Sequence, residues 1–255
     1  MGVITVDKDN LLHTSIPNHQ VTEGRISEDI VKDLLKMCDN MYEDPNSEPW
    51  DANLAGVMRP PAKQLLIDIE NPLFNNFKGI ILNAAGNYID NYLRTLQEIG
   101  QGPTNDSQTG EYEGDLNYKI SLTTSWTVHQ YKNDYNPIHN HTIPGWESGI
   151  SGFIHLRVPA GCYEISNSDA PDGLTMFNWG VNPKNFVNEF KFSPLGSIIP
   201  EVGVFYMFPM WLNHQVYPFK GPGQRLSISW NLGVEWGDGI DLIYPPAMFK
   251  RLQVE

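Results

Sequence analysis

The part of the chain that most constrains its fold lies downstream of Leu116. Four short stretches there, 120–131, 148–158, 203–208 and 225–234, are rich in Thr, Ser, Val, Ile and aromatic residues. Such residues suit a pleated, half-buried surface. Pro and Gly punctuate the intervals, and no segment of helical periodicity separates the stretches. A parallel sheet built from βαβ units needs helices between strands, so the pattern predicts an antiparallel sandwich or barrel. The polar, Asn-rich segment Asp169 to Phe190 is expected to be an insertion or lid over one end of the sheets.

The first hundred residues have a different texture. Ser27 reads as an N-cap, followed by Glu28 and Asp29 in the first turn, where acids suit the helix dipole. Ile30, Val31, Leu34, Leu35, Cys38 and Met41 then recur at helical spacing. Glu43 to Pro49 is a polar loop. A second helix is predicted from near Pro72, with Leu73, Phe74, Phe77, Ile81, Ala84, Tyr88, Tyr92, Leu93 and Leu96 as its apolar stripe. Gly100 to Gly114 reads as a surface loop. The expected organisation is a helical and extended support region over residues 1–115, packed on a β core over residues 116–255, as one integrated domain.

Charge and cysteine content narrow the function. The net charge of −13 argues against a nucleic-acid groove, which needs a basic face. It leaves room for a local basic pocket that takes a small anion. No run of 18 apolar residues suggests a membrane span, and the first residues lack the basic-then-apolar order of a signal peptide. Cys38 and Cys162 are the only cysteines, as expected in a reducing compartment. The expected setting is therefore the cytosol of a bacterium or a phage-infected host. A homodimer is left open.

The chemistry concentrates in three histidines and one arginine. His139 and His141 flank Asn140 near a strand-like stretch. On a strand, residues two apart share a face. His214 closes the apolar stretch Val204-Phe205-Tyr206-Met207-Phe208-Pro209-Met210-Trp211-Leu212-Asn213. A same-strand pair of imidazoles and a third from a distant strand could cover one side of a metal ion and leave its other positions open. Imidazole suits Fe(II), Zn(II), Cu(II) and Ni(II) alike, so ligand type does not choose the metal. Alternation in Arg225-Leu226-Ser227-Ile228-Ser229-Trp230 puts Arg225, Ser227 and Ser229 on one face. A guanidinium facing a barrel interior needs a counter-charge, and a bound carboxylate is one. A polar strand face in water is the other explanation of the same pattern.

Taken in order, Tyr131, His139-Asn140-His141, Ser151-Gly152-Phe153-Ile154-His155, Phe208-Pro209-Met210-Trp211-Leu212-Asn213-His214 and Arg225-Leu226-Ser227 resemble the 2-oxoglutarate- and Fe(II)-dependent oxygenases. The similarity is greatest to a bacterial and phage group with an H-x-H pair, and it spans about residues 120 to 233. The resemblance implies a double-stranded β-helix core of the jelly-roll or cupin-like kind. It implies Fe(II), with 2-oxoglutarate and O₂ as co-substrates. It implies His139, His141 and His214 as metal ligands, and Arg225 with Ser227 as the seat of the distal carboxylate of 2-oxoglutarate. Tyr131 and His155 would stand beside that co-substrate. His141 occupies a position where most of the superfamily has Asp or Glu. The implied reaction is hydroxylation of a C–H bond coupled to decarboxylation of 2-oxoglutarate to succinate.

The motifs do not name the primary substrate, which could be a peptide side chain or a small molecule. Trp126, Trp146, Trp179 and Trp211 are candidates for lining the cleft. Two other readings compete: a three-histidine cupin-type enzyme that needs no 2-oxoglutarate, and a jelly-roll binding or structural module with no activity.

Overall fold

The computed structural model describes residues 12–16, 19–98, 118–141, 149–162, 172–178 and 195–236. In chain order the elements are β1 (Leu12–Ile16), β2 (His19–Arg25), α1 (Glu28–Glu43), β3 (Lys63–Leu66), α2 (Asn75–Glu98), β4 (Tyr118–Gln130), β5 (Asn136–His139), β6 (Gly149–Arg157), β7 (Thr175–Asn178), β8 (Leu195–Ile198), β9 (Val204–Pro209), β10 (Asn213–Val216) and β11 (Arg225–Trp236). Among the described residues they form two sheets. The larger has the order β1-β2-β9-β6-β11-β4-β3, and the smaller β5-β10-β7-β8. All their pairings are antiparallel. This is the mainly β, double-stranded β-helix class with N-terminal helices.

The two faces of the large sheet have different partners. On one face Ile150, Ile154, Leu156, Phe205, Met207, Leu226, Ile228, Trp230 and Leu232 form a single cluster with buried side chains of α1 and α2. Trp230 is the anchor of that layer: the ring of Phe77 meets it edge-on at 5.3 Å. Such edge-to-face contacts add to the effect of area burial. Gly152, on β6, lets Trp230 close in; a Cβ there would lie 2.4 Å from the indole and 2.6 Å from the Tyr206 carbonyl oxygen. The opposite face holds a smaller cluster of Phe153, Phe177, Val204, Tyr206, Phe208 and Leu212.

Helix α1 begins where the sequence predicts, with Ser27 as N-cap, although the Ser27 side chain makes no capping hydrogen bond. Helix α2 begins at Asn75, three residues after Pro72. The turn at Asn71–Phe74 intervenes, with Asn71 Oδ1 accepting from the Leu73 amide. Three strands of the first hundred residues were not foreseen. They supply both edges of the large sheet, β1-β2 next to β9 and β3 next to β4. A further correction concerns Asp169 to Phe190. Residues Thr175–Asn178 of that segment are not a lid but β7, a strand paired on both sides, with Thr175 and Phe177 buried. Its polar neighbours hid a four-residue alternation. The rest of the segment beyond Asn178, like the loop read at Gly100–Gly114, lies outside the described residues. Among the described residues no helix is long and apolar enough to cross a membrane, and Cys38 and Cys162 are free and buried.

Candidate metal centre and co-substrate pocket

Strand register brings the distant histidines together. β10 pairs with β5 so that His214 lies opposite His139. His141 follows two residues later, its amide donating to the Met210 carbonyl oxygen at 2.8 Å. The ring centroids are 4.3 Å apart for His139 and His214, 4.9 Å for His141 and His214, and 5.3 Å for His139 and His141. One nitrogen from each of the three lies within 4.8 Å of the others, and among the described residues this cluster contains no carboxylate.

Hydrogen bonds decide which nitrogen each ring offers. His139 Nδ1 is 2.7 Å from the Pro137 carbonyl oxygen, and His214 Nδ1 is 3.0 Å from the Leu212 carbonyl oxygen. A carbonyl oxygen only accepts, so both Nδ1 atoms carry the proton and both Nε2 lone pairs are free. His141 Nδ1 meets Asn231 Oδ1 at 2.8 Å. All three rings are held neutral. Burial lowers the pKa of His139, lowers that of His141 to about 4 with help from His139, and puts His214 well below its ordinary value, the other two histidines adding to the effect. Neutral imidazoles with oriented lone pairs and acceptors behind them are the form in which histidine binds a metal.

The large sheet supplies the rest of the pocket, which reaches from the histidines to Arg225. Arg225, Ser227 and Ser229 of β11 face it, flanked by Trp126, Val128 and Gln130 of β4 and by Phe153 and His155 of β6. Arg225 is 1 % exposed. Its Nε and Nη2 donate to Gln130 Oε1 at 3.0 and 2.8 Å, and Nη1 donates to the Gly173 carbonyl oxygen at 2.8 Å. Longer contacts of 3.3 and 3.4 Å run to the Tyr217 carbonyl oxygen. Every one of these acceptors is neutral. Among the described residues no carboxylate forms an ion pair with Arg225. Burial pulls its pKa down to about 10, against the opposing pull of Cys162 and Asp134. His155 is also enclosed. Its Nδ1 has no hydrogen-bond partner, and burial, then the charge of Arg225, lowers its pKa to about 3. A buried cation with no carboxylate in direct contact and a buried imidazole nitrogen without a hydrogen-bond partner thus lie on neighbouring strands, β11 and β6.

Of the residues singled out in the sequence, His139, His141, His214, Arg225, Ser227 and His155 line this one pocket. Tyr131 does not, and that expectation is corrected. It follows Gln130, which faces the pocket, so alternation turns Tyr131 away. Its hydroxyl instead accepts from Gln224 Nε2 at 2.8 Å and bonds the Tyr42 hydroxyl at 3.1 Å. Trp126 lines the pocket, whereas Trp211 is about half exposed on the turn before β10. Trp146 and Trp179 lie outside the described residues. Gln130 and Asn231 were missed. Each is a neutral amide whose importance shows only once cross-strand neighbours are known.

Comparison with known proteins agrees with this geometry. Residues 124–231 match the family model described as "Putative 2OG-Fe(II) oxygenase", a span that starts on β4 and ends at Asn231 on β11. Over that span, the β core that carries the histidines and Arg225, the chain is similar to the 2-oxoglutarate- and Fe(II)-dependent oxygenases. Members of that family are iron enzymes that use 2-oxoglutarate and O₂ as co-substrates on a primary substrate. No curated protein gives a significant sequence match. Among solved structures, the non-haem α-ketoglutarate-dependent carbocyclase SnoK of nogalamycin biosynthesis is similar in fold, with a TM-score of 0.51 at 12% identity, over 87% of this chain and 83% of that one. A Pseudomonas putida prolyl-4-hydroxylase aligns with a TM-score of 0.46 at 14% identity, over 84% of this chain and 92% of that one. HygX of Streptomyces hygroscopicus, solved with nickel, 2-oxoglutarate and hygromycin B, aligns with a TM-score of 0.47 at 12% identity, over 84% and 83%.

Proposed function

We propose that His139, His141 and His214 hold the Fe(II) through Nε2, and that Arg225 binds the distal carboxylate of 2-oxoglutarate. The observation that carries this reading is the pairing, in one pocket, of three oriented neutral imidazoles with a buried guanidinium that has no carboxylate in direct contact among the described residues. When bound, the metal and 2-oxoglutarate supply the oxidising chemistry, coupled to release of succinate and CO₂. The protein's part is placement. Gln130 and the Gly173 carbonyl hold the guanidinium plane, so its Nη atoms can exchange the long Tyr217 contacts for the two oxygens of a carboxylate. Ser227 adds a hydroxyl from the same strand face. His155, across from Ser227 in the β6–β11 register, offers its unpartnered nitrogen to the co-substrate. Trp126, Phe153 and Phe208 exclude water from the histidine end.

The primary substrate presents a C–H group of a peptide side chain or small molecule to the metal end of the pocket. The oxygenase works in the cytosol, as a monomer or homodimer, without nucleic acid or membrane as partner. The test is anaerobic titration of the Fe(II) protein with 2-oxoglutarate. A weak visible charge-transfer band is expected, followed on aeration by succinate release that depends on 2-oxoglutarate. Absence of both overturns the reading and leaves a cupin-type metal enzyme or a binding module.

A further inference from the structure

The three histidines are oriented by different means. His139 and His214 each donate to the backbone carbonyl two residues earlier in the chain, Pro137 and Leu212. These restraints are local, and no substitution of a side chain removes them. His141 sits past the end of β5 and has no such carbonyl. Its Nδ1 depends on the side chain of Asn231, ninety residues away on β11.

Asn231 is built into the sheet for this task. It is 6 % exposed and lies between Ser151 of β6 and Thr124 of β4 in the strand register. Its Oδ1 accepts twice, from His141 Nδ1 at 2.8 Å and from Ser151 Oγ at 2.7 Å. Its Nδ2 donates toward Thr124 Oγ1 at 3.4 Å. The amide orientation sets the tautomer of His141. With Oδ1 toward the ring, the proton is on Nδ1 and the Nε2 lone pair faces the metal end. With the amide reversed, Nδ2 would need a lone pair on Nδ1, and the proton would move to Nε2, where it blocks ligation. In the first arrangement Ser151 donates to the same oxygen and holds the amide in place.

We infer that Asn231, supported by Ser151, is the positioning residue that makes His141 a metal ligand. This inference rests on the proposed three-histidine site. It also gives β11 a double duty: Arg225 at one end of its pocket face orients the co-substrate, and Asn231, six residues on along the same face, orients the metal ligand that stands where most of the superfamily has a carboxylate.

Full-length wild type, Asn231→Ala, Asn231→Asp and Ser151→Ala proteins are titrated with Co(II) in a chelator competition, and the Co(II) forms are studied by proton NMR. Wild type is expected to bind one Co(II) and to show three solvent-exchangeable, hyperfine-shifted imidazole N–H signals. Asn231→Ala is expected to weaken Co(II) roughly 10–100-fold and to lose or broaden one of the three signals. Asn231→Asp can only accept, so it is expected to keep all three signals and to bind Co(II) at least as tightly as wild type. Ser151→Ala is expected to shift affinity in the same direction as Asn231→Ala but less; should Asn231→Ala fail to fold by circular dichroism, Ser151→Ala and Asn231→Asp decide. Overturning results are an Asn231→Ala protein that keeps three signals and binds within threefold of wild type, or an Asn231→Asp protein that binds more weakly than wild type. A wild-type protein that binds no Co(II), or binds it equally well after His139→Ala, instead overturns the three-histidine site itself.

Discussion

Replacing Arg225 by Met separates binding from stability. In the free protein this guanidinium is enclosed and its hydrogen bonds run to neutral acceptors, Gln130 Oε1, the Gly173 carbonyl and, at longer range, the Tyr217 carbonyl, with Cys162 and the more distant Asp134 also favouring its charge. Hydrogen bonds to a charged group contribute about 1.5–3 kcal/mol each. A carboxylate held by two of them, offset by the loss of the long Tyr217 contacts, gains about 3 kcal/mol over the variant. That is a weakening of 2-oxoglutarate on the order of 100-fold, since 1.4 kcal/mol is about one decade. Stability moves differently. Burying a charge costs several kcal/mol per ion when no counter-charge is present, whereas stranding the neutral acceptors costs about 1–3 kcal/mol each where water does not reach them. The two effects oppose, so the ligand-free Arg225→Met protein is expected to unfold within about 2 kcal/mol of wild type. The assay is urea unfolding of the metal-loaded proteins with and without 2-oxoglutarate. Wild type gains about 2.7 kcal/mol at one hundred times Kd; at the same concentration, which is about the variant's own Kd, the variant gains only about 0.4 kcal/mol. The reasoning is refuted if Arg225→Met binds 2-oxoglutarate within threefold of wild type. It is refuted as well if the ligand-free variant loses more than about 4 kcal/mol, which would make Arg225 a structural residue.

Three further outcomes are expected. Burial holds His155 at about pKa 3 and His129 and His141 at about 4, below the ordinary 6.5; between these values the unfolded chain binds more protons, so metal-free stability is complete above pH 6.5 and falls as pH drops toward 3–4, and a urea midpoint that stays flat from pH 6.5 to 4.5 contradicts this. Gly152→Ala places a methyl 2.4 Å from Trp230 and 2.6 Å from the Tyr206 carbonyl oxygen, and is expected to lower stability by about 1–3 kcal/mol; a thermal midpoint equal to wild type would show that the β6–Trp230 packing yields freely. Residues 116–255 expressed alone would expose Ile154, Phe205, Ile228, Trp230 and Leu232, each fully buried against the helical layer, and are expected to aggregate, whereas a monomeric, cooperatively unfolding fragment would show that residues 1–115 are dispensable for folding.

Much of the β core was legible because its strands carry strong, short signals. Val204 to Pro209 and Arg225 to Trp236 alternate or run apolar between turn residues, and both appear as strands close to the expected limits. The N-terminal edge strands were not legible. His19–Arg25 is polar, with Gln20 and Thr22 buried only because β9 and α2 cover them: the Gln20 side chain donates to the Tyr88 carbonyl at 2.8 Å, and the Tyr88 hydroxyl to the Gln20 carbonyl at 3.1 Å. β7 was hidden for a like reason. Tyr131 shows the opposite failure. A motif position one residue out of phase with the pleat points to the other side of the sheet, and no motif match corrects for that.

The amino-acid sequence alone determined which chemical groups could meet. An H-x-H pair, a later histidine after an apolar strand, and an arginine on an alternating strand restrict the site to imidazole ligands beside an anion seat, because residue type and period are local properties. Tertiary structure alone decided how those groups are held. His139 faces His214 through the β5–β10 register, Gln130 cradles Arg225 through the β4–β11 register, and Asn231 reaches His141 across ninety residues. Hydrogen-bond direction and strand register are relations between distant segments, and it is those relations that set the tautomers, the enclosed charge and the shape of the pocket.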